Sequence, residues 1–227
     1  MTNPWRHAGA CGNTDALRNE TLTVQAYLST PTLSADLLRT HFSCLQGFDW
    51  PDHRLDAWPL SAEQTRAAVL IPLVARPGGL SVLLTRRADH LHHHPGQICL
   101  PGGRVEASDD CAAFAALRET HEEIGIAPAS IELLGELPLY ATSTGFQVAP
   151  VVGLIRPPFE IKADAFEVAE VFEVPLSFLA NTSNYQRHRV ERAGTIRHFF
   201  AVPYGGRFIW GATAGILAML ASFLEHD

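Results

Sequence analysis

The sequence predicts an α/β (α+β) domain, a β-sheet covered by helices, and three observations carry that prediction. From residue 66 onward, apolar runs of strand length recur between glycine- and proline-rich turns. An alanine- and glutamate-rich segment of helical period lies among them at 111–124, and a second apolar segment closes the chain at 209–224. Strands flanking helices in this order imply a sheet with helices layered on it.

Residues 1–60 read as an amino-terminal extension, partly helical, packed onto a main domain of residues 61–227. Within the extension, Ser34-Ala35-Asp36-Leu37-Leu38-Arg39 is a capped helix start, with apolar positions at helical spacing through Phe42 and Leu45. Pro31, Gly47, Pro51 and Pro59 around it read as loop. The run Ala67–Val74, the turn Arg76-Pro77-Gly78-Gly79 and the run Leu80–Thr85 make a hairpin. A glycine-rich loop at 101–103 precedes the helix of 111–124, which stops at Gly125. Further strands are expected over Ile131–Leu137, Gln147–Ile155, Glu170–Val174 and Ile196–Pro203. Ser143-Thr144-Gly145-Phe146 forms a turn that could line a pocket. Gly205-Gly206 turns the chain into Arg207-Phe208-Ile209-Trp210 and the last helix. The apolar stretch Ile209–Leu224 has 16 residues. A membrane span needs about 17–25, so the stretch reads as a buried terminal helix.

A chain of 227 residues suits one domain, or one with an added subdomain. Lys and Arg number 17 against 24 Asp and Glu, giving a net charge of −7. That balance argues against nucleic acid or an anionic membrane as partner, since both need a basic surface. Cys11, Cys44, Cys99 and Cys111 are too few and too scattered for a disulfide framework or a CxxC zinc site. They read as reduced thiols of a cytoplasmic protein. The first residues, Met1-Thr2-Asn3-Pro4-Trp5-Arg6, contain no apolar run of a secretory signal.

The chemistry concentrates in Pro101-Gly102-Gly103-Arg104-Val105-Glu106 and Arg118-Glu119-Thr120-His121-Glu122-Glu123-Ile124-Gly125-Ile126. On a helix, Glu119, Glu122 and Glu123 stand at i, i+3 and i+4 and share one face. Like charges at that spacing repel, and a hard divalent cation, which prefers carboxylate oxygens, relieves the repulsion. The set is therefore a candidate site for Mg²⁺ or Mn²⁺; a solvated acidic helix face is the alternative. The Gly102-Gly103 turn lets the backbone come close, where a carbonyl could meet metal or an amide phosphate. Arg118 could pair with a glutamate and fix its rotamer.

This stretch resembles the Nudix box, a family signature spanning here only Gly103 to Ile126. The resemblance implies a Nudix-like α/β/α sandwich with a mixed sheet, and metal-dependent hydrolysis of a nucleoside diphosphate linked to another group. Counted back from Arg118, the usual glutamate is Asp110, the loop from Gly103 is one residue longer, and Thr120 takes a position that is usually aliphatic. A second match precedes the box: Leu83-Leu84-Thr85-Arg86-Arg87-Ala88, His92, Gly96 and Leu100-Pro101-Gly102-Gly103. It resembles the signature of the coenzyme A pyrophosphatase branch, with His92 in place of an arginine and Leu100 in place of a phenylalanine. The segment Ile209–Leu217 is similar to that branch as well.

The resemblance implies a coenzyme A-like substrate cleaved at its diphosphate to 4′-phosphopantetheine and adenosine 3′,5′-bisphosphate. Other nucleoside diphosphate derivatives (ADP-ribose, NADH, a nucleotide sugar or an oxidised nucleotide) are the alternative, and a non-catalytic nucleotide sensor is the third reading. Glu119, Glu123, Glu122 and Gly103 are the candidate metal ligands, and Glu122, Glu119 and Arg118 the candidate catalytic groups. Arg87 and Arg86, together with Gly96 and Gly102, are the candidates for the substrate. Neighbours on a strand point to opposite faces, and Arg87 holds the signature position. Glu167 or Glu170 could supply a further carboxylate. A small nucleotide is the expected partner, with no nucleic acid and no membrane, and a homodimer is the candidate assembly. His90, His92, His93 and His94 read as an exposed loop rather than a zinc site. His121 is expected to be exposed, and Cys99 and Cys111 to be small buried residues.

Overall fold

The computed structural model describes residues 33–43, 61, 63–192 and 195–225. Cys11, Cys44, Leu45 and the loop prolines at 31, 51 and 59 lie outside these residues, as does Gly47. In chain order the longer elements are α1 (Ala35–Ser43), β1 (Thr65–Arg76), β2 (Gly79–Arg87), β3 (Ile98–Cys99), β4 (Gly102–Arg104) and α2 (Ala112–Ile124). They continue with β5 (Ile131–Glu136), β6 (Tyr140–Ala141), β7 (Phe146–Ile155), β8 (Val168–Pro175) and α3 (Leu176–Leu179). The chain then forms β9 (Gln186–Arg192), β10 (Thr195–Tyr204), β11 (Arg207–Trp210) and α4 (Ala212–Glu225).

Among the described residues the main sheet has eight strands in the order β3-β2-β1-β7-β5, with β4 added to β1, β6 to β7 and β8 to β2. β1 and β7 run parallel through ten paired residues, while every other pair is antiparallel, so the sheet is mixed. Parallel partners need a crossover connection, and α2 lies within it. The apolar run of β1 is continuous because both of its faces are covered. Ala67, Ile71 and Leu73 join a core with Leu38 and Phe42 of α1 and the apolar side chains of α4. Ala68, Leu70 and Val74 join a second core with Ala115, Ala116 and Ile124 of α2. A sheet between two helical layers is the α/β/α sandwich that the resemblance to the Nudix box implies.

The hairpin of β1 and β2 closes with Arg76 opposite Gly79, at the turn read from the sequence. Three differences have physical causes. The expected loop at 101–103 contains the strand β4, with Gly102 opposite Val69 and Gly103 opposite Ala68. Two glycines give no strand signal, and pairing with β1 alone makes them one. β9 went unseen because Gln-Arg-His-Arg-Val-Glu-Arg has one apolar residue and no alternation; it is held by its ladder to β10. The segment 209–224 splits, with Ile209 and Trp210 ending β11 and only α4 helical. No helix among the described residues is long and apolar enough to cross a membrane. α4 is apolar on all sides because it is buried from Thr213 to Leu224, and the Thr213 hydroxyl donates to the Ile98 carbonyl at 3.2 Å.

α1 begins at Ser34, whose hydroxyl accepts from the Leu37 amide at 3.2 Å. The helix is fastened to β5 by two bonds from one guanidinium: Arg39 Nε and Nη2 donate to Glu132 at 2.8 and 2.9 Å. Arg156 binds the same carboxylate, sharing its Oε2 with Arg39. The Arg39 hydrogen bond, then that of Arg156, hold the Glu132 carboxyl down at about 2. A carboxyl depressed on folding adds stability above its ordinary value of 4.5 and loses it as pH falls through the folded value. Glu132→Gln should therefore lower the urea midpoint at pH 7, and the difference from the parent protein should shrink as pH is brought from 4.5 toward 2. Urea titrations across that range check it.

Candidate active site

α2 starts without a side-chain cap: Cys111 is extended at the N-cap and its thiol makes no capping bond. The helix ends at Gly125 in the left-handed conformation, whose amide donates to the His121 carbonyl at 2.9 Å. Thr120 is fully buried, yet its hydroxyl is satisfied by the Ala116 carbonyl one turn back at 2.6 Å. A polar residue is thereby accommodated on the core face.

The three glutamates are graded from core to solvent. Glu123 is 5% exposed, the Glu119 side chain 19% and that of Glu122 57%. Arg118 ties the two outer ones to the preceding loop. Its Nη1 donates to Glu119 at 3.0 Å and to Glu122 at 3.1 Å, and its Nη2 to the Arg104 carbonyl at 3.1 Å. Nε and Nη2 grip Asp109 at 3.1 and 3.0 Å, the forked geometry that arginine makes with carboxylates. Asp109 also accepts from the Glu106 amide at 2.8 Å. Those bonds, Arg118 first, keep its carboxyl below the usual range. The residue that locks the loop to Arg118 is thus Asp109. Asp110, the position reached by counting back from Arg118, faces a cleft at the start of α2. Only contact with the arginine distinguishes two adjacent aspartates, and spacing alone does not carry it.

Gly102 and Gly103 meet their surroundings differently. A Cβ on Gly102, which has φ +153°, would stand 2.3 Å from the Ala68 carbonyl oxygen and 2.6 Å from Val69 Cα. A Cβ on Gly103 would stand 2.3 Å from a Glu119 carboxylate oxygen. The first glycine is required by the backbone of β1, the second by the glutamate laid across it.

Burial pushes the Glu123 carboxyl up to about 8, helped by the charges of Glu119 and Glu167 and opposed by Arg87 and a hydrogen bond from Gly102. Burial also raises Glu119, against the pull of Arg118. Glu123 Oε2 is buried without a hydrogen-bond partner. An orphaned carboxylate oxygen among other carboxylates is the donor chemistry of a hard divalent cation, so Glu123, Glu119 and Glu167 are the residues suited to hold one. Among the described residues no three His, Cys, Asp or Glu side chains form a ready-made metal cluster; Arg118 engages Glu119 and Glu122 instead.

Of the two further carboxylates, Glu167 is the one whose charge reaches Glu119 and Glu123. Glu170 is not brought to them. It is opposite Arg86 on β8, bonds to Arg207 and lies 4.0 Å from Arg86. The pairing slips between Arg86 and Arg87, and this bulge separates the two acids. Arg86 also pairs with Asp89 at 2.8 Å, against which Gly96 is packed. Arg87 instead acts on Glu123 and Cys99. The two arginines thus serve different groups, as neighbours on a strand should.

Cys111 is exposed rather than buried, because it sits at the open end of α2. Cys99 is partly buried, its Sγ 3.3 Å from the Thr85 hydroxyl, and burial pushes its thiol up to about 11. His90, His92, His93, His94 and His121 are exposed. The 142–145 turn precedes β7 as expected, with the Gly145 amide donating to Thr142.

The NUDIX domain model matches residues 64–199. The uncharacterized Nudix hydrolase NudL of Enterobacter sp. (strain 638) is 48% identical over 158 residues, covering 69% of this chain and 81% of that protein. NudL of Escherichia coli (strain K12) is 44% identical over 156 residues, with coverage of 69% and 81%. Among solved structures, the MutT protein of Methanosarcina mazei Go1 aligns at TM-score 0.46 and 20% identity, over 74% of this chain and all of that one. A Nudix hydrolase of M. smegmatis, RenU, aligns at TM-score 0.44 and 26% identity, over 52% and 74%.

Two outcomes follow from the site's construction. Gly102→Ala should lower the thermal midpoint by roughly 5 °C or more, since backbone must move. Gly103→Ala should lower it less, because only the Glu119 carboxylate and its bond to Arg118 have to shift; thermal melts of both variants decide. Glu123 binds its proton more tightly folded than unfolded. The Glu123 contribution to the stability of the metal-free protein should therefore be fully present below pH 4.5, the ordinary value, and be lost as pH rises through about 8. Glu123→Gln should abolish that decline and melt higher than the parent protein at pH 9 in chelator, read by melts across pH.

Proposed function

The chain belongs to the Nudix hydrolase family, which acts on diphosphate bonds, and from that premise we propose that it hydrolyses the diphosphate of coenzyme A or a coenzyme A derivative. The products are 4′-phosphopantetheine and adenosine 3′,5′-bisphosphate. One observation carries the substrate assignment: the run Leu83-Leu84-Thr85-Arg86-Arg87-Ala88, with Gly96 and Pro101-Gly102-Gly103 at the spacing of the coenzyme A pyrophosphatase signature. The fold supports it, since this run is the end of β2 and carries Arg87 toward Glu123.

The family typically uses divalent metals, and Mg²⁺ or Mn²⁺ is the ion proposed here, held by Glu119 and Glu123 with Glu122 or Glu167 and the Gly103 backbone. Bound there, such an ion neutralises phosphate oxygens and makes water a better nucleophile. The protein's own groups do the rest. Arg118 holds Glu119 and Glu122 against the loop and so acts by positioning. Arg87 offers a planar cation to a phosphate. Arg86, bonded to Asp89, can present its remaining donors from the other side of the strand, near Gly96. A glutamate of α2 takes the proton from the attacking water. Water oxygen bonds to one phosphorus, the bond from that phosphorus to the bridging oxygen breaks, and the bridging oxygen leaves on the other phosphate.

The substitutions of His92 and Leu100 in the signature favour a second reading, in which the preferred substrate is ADP-ribose, NADH, a nucleotide sugar or an oxidised nucleotide. Mass spectrometry of coenzyme A incubated with and without Mg²⁺, beside these compounds, separates the two. The expected result is metal-dependent release of 4′-phosphopantetheine, and coenzyme A as the poorest substrate overturns the assignment. In ¹⁸O water the label identifies the phosphorus attacked. Glu123→Gln is expected to lose turnover by at least about 100-fold, the scale of one general acid–base group, while remaining folded by circular dichroism.

A further inference from the structure

We propose that Phe166 and His90 form an aromatic ledge at the rim of the site, on which the purine base of the substrate stacks. The inference rests on the reading of a nucleoside diphosphate derivative as substrate, and coenzyme A, ADP-ribose and NADH all carry adenine.

Position argues first. Phe166 directly precedes Glu167, so their Cα atoms are about 3.8 Å apart, and Glu167 acts on Glu119 and Glu123. His90 follows Arg87 by three residues, on the loop that leaves β2. The two segments are joined by backbone: the Ala88 amide donates to the Glu167 carbonyl at 2.8 Å, and the Asp164 amide to the Glu123 carbonyl at 2.9 Å. His90 and Phe166 thus meet on the two segments that carry Arg87 and Glu167, beside the place proposed for the diphosphate.

Exposure and order argue next. Phe166 is 65% exposed, more than any other large exposed hydrophobic side chain among the described residues. A lone exposed apolar residue is ordinary, but this one is held. Its amide donates to Asp164 Oδ1 at 2.9 Å, and its ring meets His90 edge-on with centroids 4.8 Å apart. A ring held by an edge contact keeps a face open, and offset stacking of a second flat ring on such a face is favourable. Within a coenzyme A-like molecule only the adenine is flat and aromatic; the pantetheine arm is a flexible chain of methylenes and amides. Base stacking on an aromatic side chain tolerates an approach from solvent, which suits a rim rather than a closed pocket.

The test uses the full chain and product inhibition. Phe166→Ala should raise KM for coenzyme A by roughly 5- to 100-fold, the range that base–aromatic stacking contributes, with kcat changed far less; Phe166→Tyr should restore it. The same alanine variant should weaken inhibition by adenosine 3′,5′-bisphosphate and leave inhibition by 4′-phosphopantetheine unchanged. Equal weakening of both, or of neither, overturns the ledge. Binding is read separately with Phe166→Trp, whose fluorescence should be quenched by adenosine 3′,5′-bisphosphate beyond the quenching seen in the parent chain. Absence of that quenching also overturns the ledge. Quenching in a protein that leaves coenzyme A intact supports the ledge and overturns the substrate assignment instead.

Discussion

Arg118 fastens a loop, a strand and a helix at one point, and the geometry of the carboxylates depends on it. Its guanidinium spends its donors on Asp109, the Arg104 carbonyl, Glu119 and Glu122. These partners fall into two groups, Arg104 and Asp109 before α2 and Glu119 and Glu122 on it. The fork therefore converts a local helical repeat into a three-dimensional site. A lysine, with one point charge on a flexible stem, could not hold four groups in a fixed plane. The fork also keeps Glu119 lying across Gly103, where a side chain would collide with it.

The other constraint is a cost. Glu123 lies in the layer between α2 and the sheet, with one oxygen unpartnered, and a buried charge without partners is unfavourable. The fold accepts it because Ala115, Ala116, Ile124 and the inward residues of β1 form the core on either side. Arg87 and the Gly102 hydrogen bond offset the burial only in part. An acid left with such a deficit is expected where a binding site needs it and not where stability alone decides. The proposed cation site is the place where that deficit would be relieved.

Most of the fold was legible because its signals are local. The two-faced burial of β1, the Pro-Gly-Gly turn into β2, the helical run to Gly125 and the apolar α4 each leave their pattern in adjacent residues. β4 and β9 left none, since the first is made by pairing of two glycines with β1 and the second by a ladder of polar residues. The site divides the same way. Glu119, Glu122 and Glu123 on one helix were readable from spacing, as was the division of labour between Arg86 and Arg87. The choice of Asp109 over Asp110 and of Glu167 over Glu170 was not. Each depends on which long-range partner, Arg118 or Arg207, claims which acid, and on a one-residue slip between β2 and β8. Cys111, expected to be buried, is exposed because it stands at the N-terminal end of α2.

The same partner assignments reinterpret the charge of −7. Several arginines are committed to carboxylates far from α2: Arg39 and Arg156 to Glu132, Arg76 to Glu173, Arg207 to Glu170. An arginine held against a carboxylate has much of its charge cancelled at a distance, so these groups add little to the field at the site. What remains near α2 is an excess of acid, with Glu119, Glu122 and Glu167, joined by Glu123 once it loses its proton, set against Arg118 and Arg87. A diphosphate approaching this group meets repulsion that two cations do not balance. On the proposed reading, a divalent ion must accompany the substrate or precede it, and Arg87 then supplies direction more than net attraction. The acidic total is therefore a consequence of how the site is built, and it selects for a polyanion only when that polyanion arrives with its metal.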